Sequence, residues 1–411
     1  MVILEASVSL TLSDQPVGYN PAVGPAVKPV ISYNQREDSQ PAMMDFFNMS
    51  PKWTLSWQTY IIDDPANPGG SVSRYLSGGG AYYYTGYNAA MGTFAAQNTD
   101  GSILALASTA PVRYVRRLRD GSVETYAQSD EGAVYPRRVF LSQIDDPQGN
   151  SLRFTYDFGN RLISVTDAVG RVTTLSYQVA GLPLLVSAIT DLFGREARFR
   201  YDTMGRLIAI TDIIGITSSF SYDANNLVNT LTTPYGTSHF LYTASTDSGP
   251  PRFVDVQDPL GRHEREEWVE PSSNSGRDPS SSVPVGMPMG VNNSYLNYRT
   301  SFHWNKDQYV AAGCTTKGGC DYTKAKATQF THYNGTSLKA TAINTLKQPL
   351  ENRVWFNYSD QTDGSLSAGS YNGPIATGRV VDDGSSQISL ISYDTAGFYK
   401  PTRFVDQWDV R

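Results

Sequence analysis

The sequence is poor in the residues from which metal and nucleophile sites are usually built, with two cysteines and four histidines in 411 residues. Cys314 and Cys320 are separated by Thr-Thr-Lys-Gly-Gly. A structural zinc site needs four ligands, so this pair alone does not make one. A small disulfide loop and two free thiols both fit, and the redox compartment stays open. His239, His263, His303 and His332 each stand alone, without the spacing of a metal site. The run His263-Glu264-Arg265-Glu266-Glu267 lacks the second histidine of a metalloprotease helix. Adjacent carboxylates occur at Asp63-Asp64 and Asp382-Asp383, but strand neighbours point to opposite faces and do not converge on a substrate. There is no phosphate-binding glycine loop and no nucleophile elbow, so no catalytic residue, metal or cofactor is expected. Charge is sparse too, at 18% of residues with a net of -6 and no basic run. Nucleic acid and anionic membrane surfaces are therefore not indicated as partners. No apolar stretch approaches the roughly 20 residues of a membrane-spanning helix. The start, Met1 to Glu5, lacks a basic opening and passes into alternation at Ala6, Val8, Leu10 and Leu12. That reads as a strand, not as a recognisable signal peptide.

What is present is abundant tyrosine (26) and glycine (35), with many Thr, Ser, Val and Asp. Tyr, Thr and Val favour a pleated surface, whereas Gly and Asp favour tight turns. The expectation is an all-β fold of antiparallel hairpins. Between residues 145 and 262 one pattern recurs: Asp-x-x-Gly, an alternating stretch, then Tyr. It begins at Asp146 with Gly149, Asp167 with Gly170, Asp191 with Gly194, Asp212 with Gly215, and Asp258 with Gly261. A degenerate copy keeps Gly236 but has Thr233 in place of Asp. The starts are 21, 24, 21, 21 and 25 residues apart, and Tyr156, Tyr177, Tyr201, Tyr222 and Tyr242 step by 21, 24, 21 and 20. Two independent markers thus keep one period. Asp at the first turn position caps it through its carboxylate, and Gly at the fourth tolerates positive φ. The next residues alternate, so that Leu152, Phe154 and Tyr156 share a face, as do Ala197, Phe199 and Tyr201. A second turn follows the tyrosine, clearest at Tyr201-Asp202-Thr203-Met204-Gly205. One period therefore equals two strands and two turns. These Asp, Gly and Tyr positions read as turn and core, not as catalytic groups.

The run from Tyr201-Asp202-Thr203-Met204-Gly205-Arg206-Leu207 to Thr211-Asp212 resembles the RHS/YD (tyrosine–aspartate) repeat, as does Tyr156-Asp157-Phe158-Gly159-Asn160-Arg161-Leu162 through Arg171. The resemblance covers residues 145–262 and, less fully, residues 380–411, where Asp383-Gly384 and Tyr393-Asp394-Thr395-Ala396-Gly397 restart the pattern. It implies a hairpin strip spiralling into an open, partial shell. In many bacterial members that shell encloses a C-terminal toxin; others are cell-surface or wall-associated proteins. The implied partners are an encapsulated toxin or separate cargo protein and other shell components. The implied location is secreted or cell-surface. The chain stops at Arg411 inside what reads as a running repeat, and neither the family's self-cleaving core motif nor a toxin-like tail is found. A truncated gene, a fragment and one component of a split shell all fit.

Four segments are expected. Residues 1–144 form a β-rich segment that starts or caps the shell, with hairpin dipeptides at Asp100-Gly101 and Asp120-Gly121. Residues 145–270 hold the repeats. The Ser/Pro/Gly-rich residues 271–293 read as an inserted loop or linker. Residues 294–411 continue the strip, resuming the repeat near 380–411. Trp53 and Trp57 suggest a second reading, a surface carbohydrate-binding or adhesion module in which the indoles stack on sugar, although large aromatics in a cap are usually core. A carbohydrate-active enzyme on a β-scaffold is the third reading, and rests on β content alone.

Overall fold

A computed structural model describes residues 2–4, 8–243, 252–269, 281–294, 296, 299–316, 319–322, 327–333, 342–364, 369–371, 373–394 and 400–410. The chain is nearly all-β and divides into two compact units, one of residues 1–2 and 10–236 and one of residues 3–9 and 237–411. The expected antiparallel hairpin architecture is what is found.

After β1 (Val2–Leu4), the first unit opens with a small antiparallel sheet of β2 (Ser9–Asp14), β3 (Ile31–Asn34) and β4 (Trp53–Leu55). A ladder follows, made of β5 (Tyr60–Asp63), β6 (Val72–Tyr75), β7 (Ala81–Tyr84), β8 (Ile103–Thr109), β9 (Val112–Arg117), β10 (Val123–Ser129) and β11 (Arg137–Asp145). β11 is a fork: Arg137–Phe140 pair with β5, while Gln143–Asp145 pair with β12. From there the strip advances one strand at a time, each antiparallel to the last. Its members are β12 (Ser151–Tyr156), β13 (Leu162–Thr166), β14 (Val172–Ser176), β15 (Ala188–Thr190), β16 (Glu196–Tyr201), β17 (Leu207–Thr211), β18 (Thr217–Tyr222) and β19 (Val228–Thr233).

Alternation decides which face of this strip is buried. In β12 and β16 the apolar residues Leu152, Phe154, Ala197 and Phe199 are buried, while Arg153, Thr155, Arg198 and Arg200 are exposed. The buried face is covered by the N-terminal segment. Trp53 packs on Phe220 at 4.7 Å, Trp57 on Phe154 at 6.0 Å and Phe47 on Tyr156 at 6.0 Å. Backbone hydrogen bonds from Asn48 to Leu184 O and from Val186 to Asn48 O fix the segment laterally. Half-buried sheets need such a cover, because one face of an alternating strip is apolar.

The second unit repeats the scheme with β20 (Gly236–Tyr242), β21 (Arg252–Gln257), β22 (His263–Val269) and β23 (Thr300–Trp304). A short helix, α1 (Lys306–Ala311), comes next. It is followed by β24 (Thr328–His332), β25 (Ile343–Lys347), β26 (Val354–Tyr358), β27 (Pro374–Val380), β28 (Ser386–Tyr393) and β29 (Pro401–Val410), again paired antiparallel in order. Part of the Ser/Pro/Gly-rich segment, residues 271–280, lies outside the described residues, as do Tyr295, Asn297, Tyr298 and Thr395 to Gly397. Residues 281–294 are described and are anchored. Met287 is buried with Leu296, Trp355, Ala376 and Ile388, and Met289 N donates to Asn357 Oδ1 at 3.0 Å.

Candidate functional site

The repeated unit is the constellation that the sequence marks most clearly, and its turns and tyrosines are built as follows. At Asp202 the main-chain oxygen accepts from Gly205 N at 3.0 Å, and Asp202 N donates back across the turn to Arg206 O at 3.0 Å. The carboxylate Oδ1 accepts from Met204 N at 3.0 Å and from Arg206 N at 2.9 Å, while Oδ2 takes Arg206 Nε at 2.7 Å. One aspartate therefore satisfies three turn N–H groups with its own oxygens and pins the guanidinium at the fifth position. The same backbone pattern holds at Asp146, Asp167, Asp191, Asp212 and Asp258. Gly149, Gly170, Gly194, Gly205, Gly215 and Gly261 all have φ between 75° and 87°, the left-handed conformation that a side chain resists.

Two further turns of this kind, at Asp157 and Asp223, are absent from the Asp-x-x-Gly pattern because their fourth residue is asparagine. Asn160 (φ 54°) and Asn226 (φ 60°) take the glycine's place, as asparagine tolerates this region best among side-chain-bearing residues. At the degenerate copy, Thr233 Oγ1 accepts from Tyr235 N at 3.2 Å and replaces the carboxylate.

The tyrosines tie one hairpin to the next. Tyr156 donates its hydroxyl to Leu141 O at 2.7 Å, Tyr177 to Leu162 O at 2.7 Å, Tyr201 to Val186 O at 2.7 Å and Tyr222 to Leu207 O at 2.5 Å, each spanning 15 residues. Leu162 and Leu207 are themselves the register partners of Tyr156 and Tyr201, at the irregularity where each strand gains a residue. Tyr177 and Tyr222 thus bond the bulge beside the preceding tyrosine of the strip. Burial pushes the Tyr156 and Tyr201 phenols well above their ordinary range, keeping them neutral donors. The turn arginines add a second tie, with Arg161 over Tyr177 at 5.2 Å and Arg206 over Tyr222 at 4.8 Å. The bond recurs in the second unit, where Tyr358 donates to Ile343 O at 2.8 Å, again across 15 residues. Replacing Tyr201 by Phe leaves a buried carbonyl without this donor. The expected loss is about 1–2 kcal/mol, seen as faster amide exchange around residues 186–190 and unchanged exchange in the second unit.

The turn carboxylates also set the acid behaviour. Partial burial acts to raise Asp157, Asp191 and Asp202, but hydrogen bonds from Arg161, Arg195 and Arg206 and from turn N–H groups outweigh it, leaving all three below the ordinary 3.8. Asp258 lies lower still, held first by Lys306 Nζ at 2.7 Å. A depressed folded value contributes stability above the unfolded value that is lost as pH falls through the folded one. Urea midpoints should therefore drop below pH 3.8, and a triple variant with Asn at 157, 191 and 202 should drop less. Equal acid slopes would remove the carboxylates from the account.

The other sequence candidates are placed as follows. Trp53 and Trp57 are 1% and 4% exposed, so neither indole offers a face to sugar; both are core, covering the repeat strip. The Trp53 Nε1 hydrogen bond goes to the Tyr222 hydroxyl at 3.0 Å. Cys314 and Cys320 are joined as a disulfide. His239 is exposed, whereas His263 meets Asp255 at 2.6 Å, His303 meets Glu266 at 3.2 Å and His332 meets Ser301 at 3.3 Å. No group of three or more potential metal ligands is found among the described residues. Asp63 is taken by Tyr114 and Arg137, and Asp64 caps the turn at Ala66. Among the described residues no helix is long and apolar enough to cross a membrane.

The family described as RHS Repeat matches residues 157–196 and 201–238. No curated protein matches the chain. Among solved structures it is similar to TcdB2-TccC3, at 12% identity and a TM-score of 0.24, covering 89% of this chain and 20% of that one. The same complex without its hypervariable C-terminal region gives 12% and 0.23, covering 83% and 19%. The Photorhabdus luminescens Tc holotoxin pore, carrying a TccC3 mutation, gives 12% and 0.28, covering 98% and 18%. The chain thus spans about a fifth of the length of these structures. The matched segments are the hairpins whose aspartate turns and tyrosine bonds are described above, and residues 157–196 and 201–238 are RHS repeats.

Proposed function

We infer that the chain is non-catalytic wall material of an RHS-type shell enclosing a toxin or another protein cargo, working outside the cell that makes it. The supporting observation is the tie between hairpins. The aspartates close their own turns, and Tyr156, Tyr177, Tyr201 and Tyr222 each bond a carbonyl fifteen residues back, so added units extend a sheet. The buried positions of Trp53 and Trp57 remove the residues on which a carbohydrate-binding reading rested. Electron microscopy of the purified chain, and of the complete product of its locus with and without the cargo, tests the reading. A curved wall, with cargo resistant to added protease until the wall is cut, is expected. Compact separate lobes, or a cargo digested as fast alone as with the wall, would contradict it.

A further inference from the structure

The connection between β23 and β24 breaks the hairpin economy of its unit. The β21–β22 turn reverses at 258–262, whereas this connection runs from 305 to 327, and its described residues 305–316 and 319–322 include α1, which packs on β22 and β23. Beneath it lie three charged side chains closed off from water: Asp255 is 2% exposed, Arg265 0% and Glu267 0%. Arg265 pairs with Asp255 at 2.9 Å and with Glu267 at 3.3 Å, its guanidinium stacked over Phe253 at 3.9 Å and near Tyr309 at 5.2 Å. Charges so deeply buried persist only where every partner is in place.

The flap supplies the remaining partners from the two ends of its disulfide loop. Thr315 O, next to Cys314, accepts Arg265 Nη2 at 2.6 Å, while Tyr322, two residues past Cys320, donates its hydroxyl to Glu267 Oε2. Asp321 N donates to Ala312 O at 2.9 Å, closing the loop at its base. His263, hydrogen-bonded to Asp255, stacks on Tyr309 at 5.1 Å. The two sulfurs sit in the same apolar cluster as Trp304, Phe302 and Tyr309, yet Thr315, Thr316 and Gly319 beside them are exposed.

We propose that the Cys314–Cys320 disulfide is a redox latch, holding residues 305–316 and 319–322 closed over the Asp255–Arg265–Glu267 charges and releasing them when a dithiol reductant cleaves it. A thiolate of the dithiol attacks one sulfur, and its second thiolate resolves the mixed disulfide. Two electrons and two protons end on Cys314 and Cys320, and the dithiol leaves as a cyclic disulfide. Without the cross-link, the Thr315 carbonyl and the Tyr322 hydroxyl are no longer held at opposite poles of one ion cluster. Water then reaches the charges, and the closed position loses its advantage. The effect is local, since the aspartate turns and tyrosine bonds of residues 145–236 contain no cysteine.

The test is hydrogen exchange by mass spectrometry on the full chain, oxidised and after dithiothreitol, with the mass gain of two hydrogens verifying reduction. Reduction should speed amide exchange at least tenfold in residues 305–322 and in β22, and leave residues 145–236 unchanged. A variant carrying Cys314→Ser and Cys320→Ser should behave as the reduced protein and ignore dithiothreitol. Reduced protein that keeps its protection in 305–322, a disulfide that dithiothreitol does not reach in the folded chain, or loss of protection across both units would each overturn the latch.

Discussion

Replacing Trp53 by Ala should destabilise the first unit by about 3–5 kcal/mol, the range for emptying a large aromatic site in a packed core. The indole lies between Tyr33 at 5.3 Å and Phe220 at 4.7 Å, and its N–H is bonded to the Tyr222 hydroxyl. Tyr222 in turn donates to Leu207 O, so the substitution also loosens a repeat tie 169 residues away in sequence. Denaturant titration followed by hydrogen exchange should show an earlier transition throughout residues 145–236. Phe158→Ala is the control: Phe158 is fully exposed at a turn tip, and its removal should change stability by no more than about 0.5 kcal/mol. If Trp53→Ala behaves like the control, the indole is not part of the repeat core.

The second large effect is expected at Arg265. Arg265→Met leaves Asp255 and Glu267 buried without their shared cation, a class of change that costs about 3–5 kcal/mol. The loss should appear in the second unit alone, as lower resistance to urea and faster exchange in β21 to β23. Adding Asp255→Asn and Glu267→Gln to Arg265→Met removes the stranded charges and should recover most of the loss, because a neutral cluster no longer needs the guanidinium. No recovery would mean that Arg265 acts mainly by packing against Phe253 and Tyr309.

The parts of this fold legible in the sequence are those governed by neighbours in the chain. An aspartate that caps its own turn and a glycine three residues later act within five residues, so their positions at 146, 167, 191, 212 and 258 can be read directly. Asp157 and Asp223 escaped the pattern because asparagine substitutes for glycine, although the shared left-handed requirement would have admitted them. Arginine follows Gly170, Gly194, Gly205 and Gly261, and its role is plain only in three dimensions, where Arg195 and Arg206 return to Asp191 and Asp202. Trp53 and Trp57 could not be placed by local rules. Exposed indoles in a cap and buried indoles beneath a strip have the same sequence, and the partners Phe220 and Phe154 lie far along the chain. The cysteine pair likewise stayed open, since only a Cα separation of 4.2 Å shows that its loop closes. The tie from each of Tyr156, Tyr177, Tyr201 and Tyr222 to a main-chain oxygen joins residues 15 apart, beyond the reach of pattern alone.

The most direct measurement is an experimental density map over residues 145–236 at a resolution that shows side chains. The phenolic oxygens at positions 156, 177, 201 and 222 should each lie within hydrogen-bonding distance of the main-chain oxygen fifteen residues earlier, on strands paired in simple succession. Phenols turned to solvent, or helices in this stretch, would contradict the account at its root.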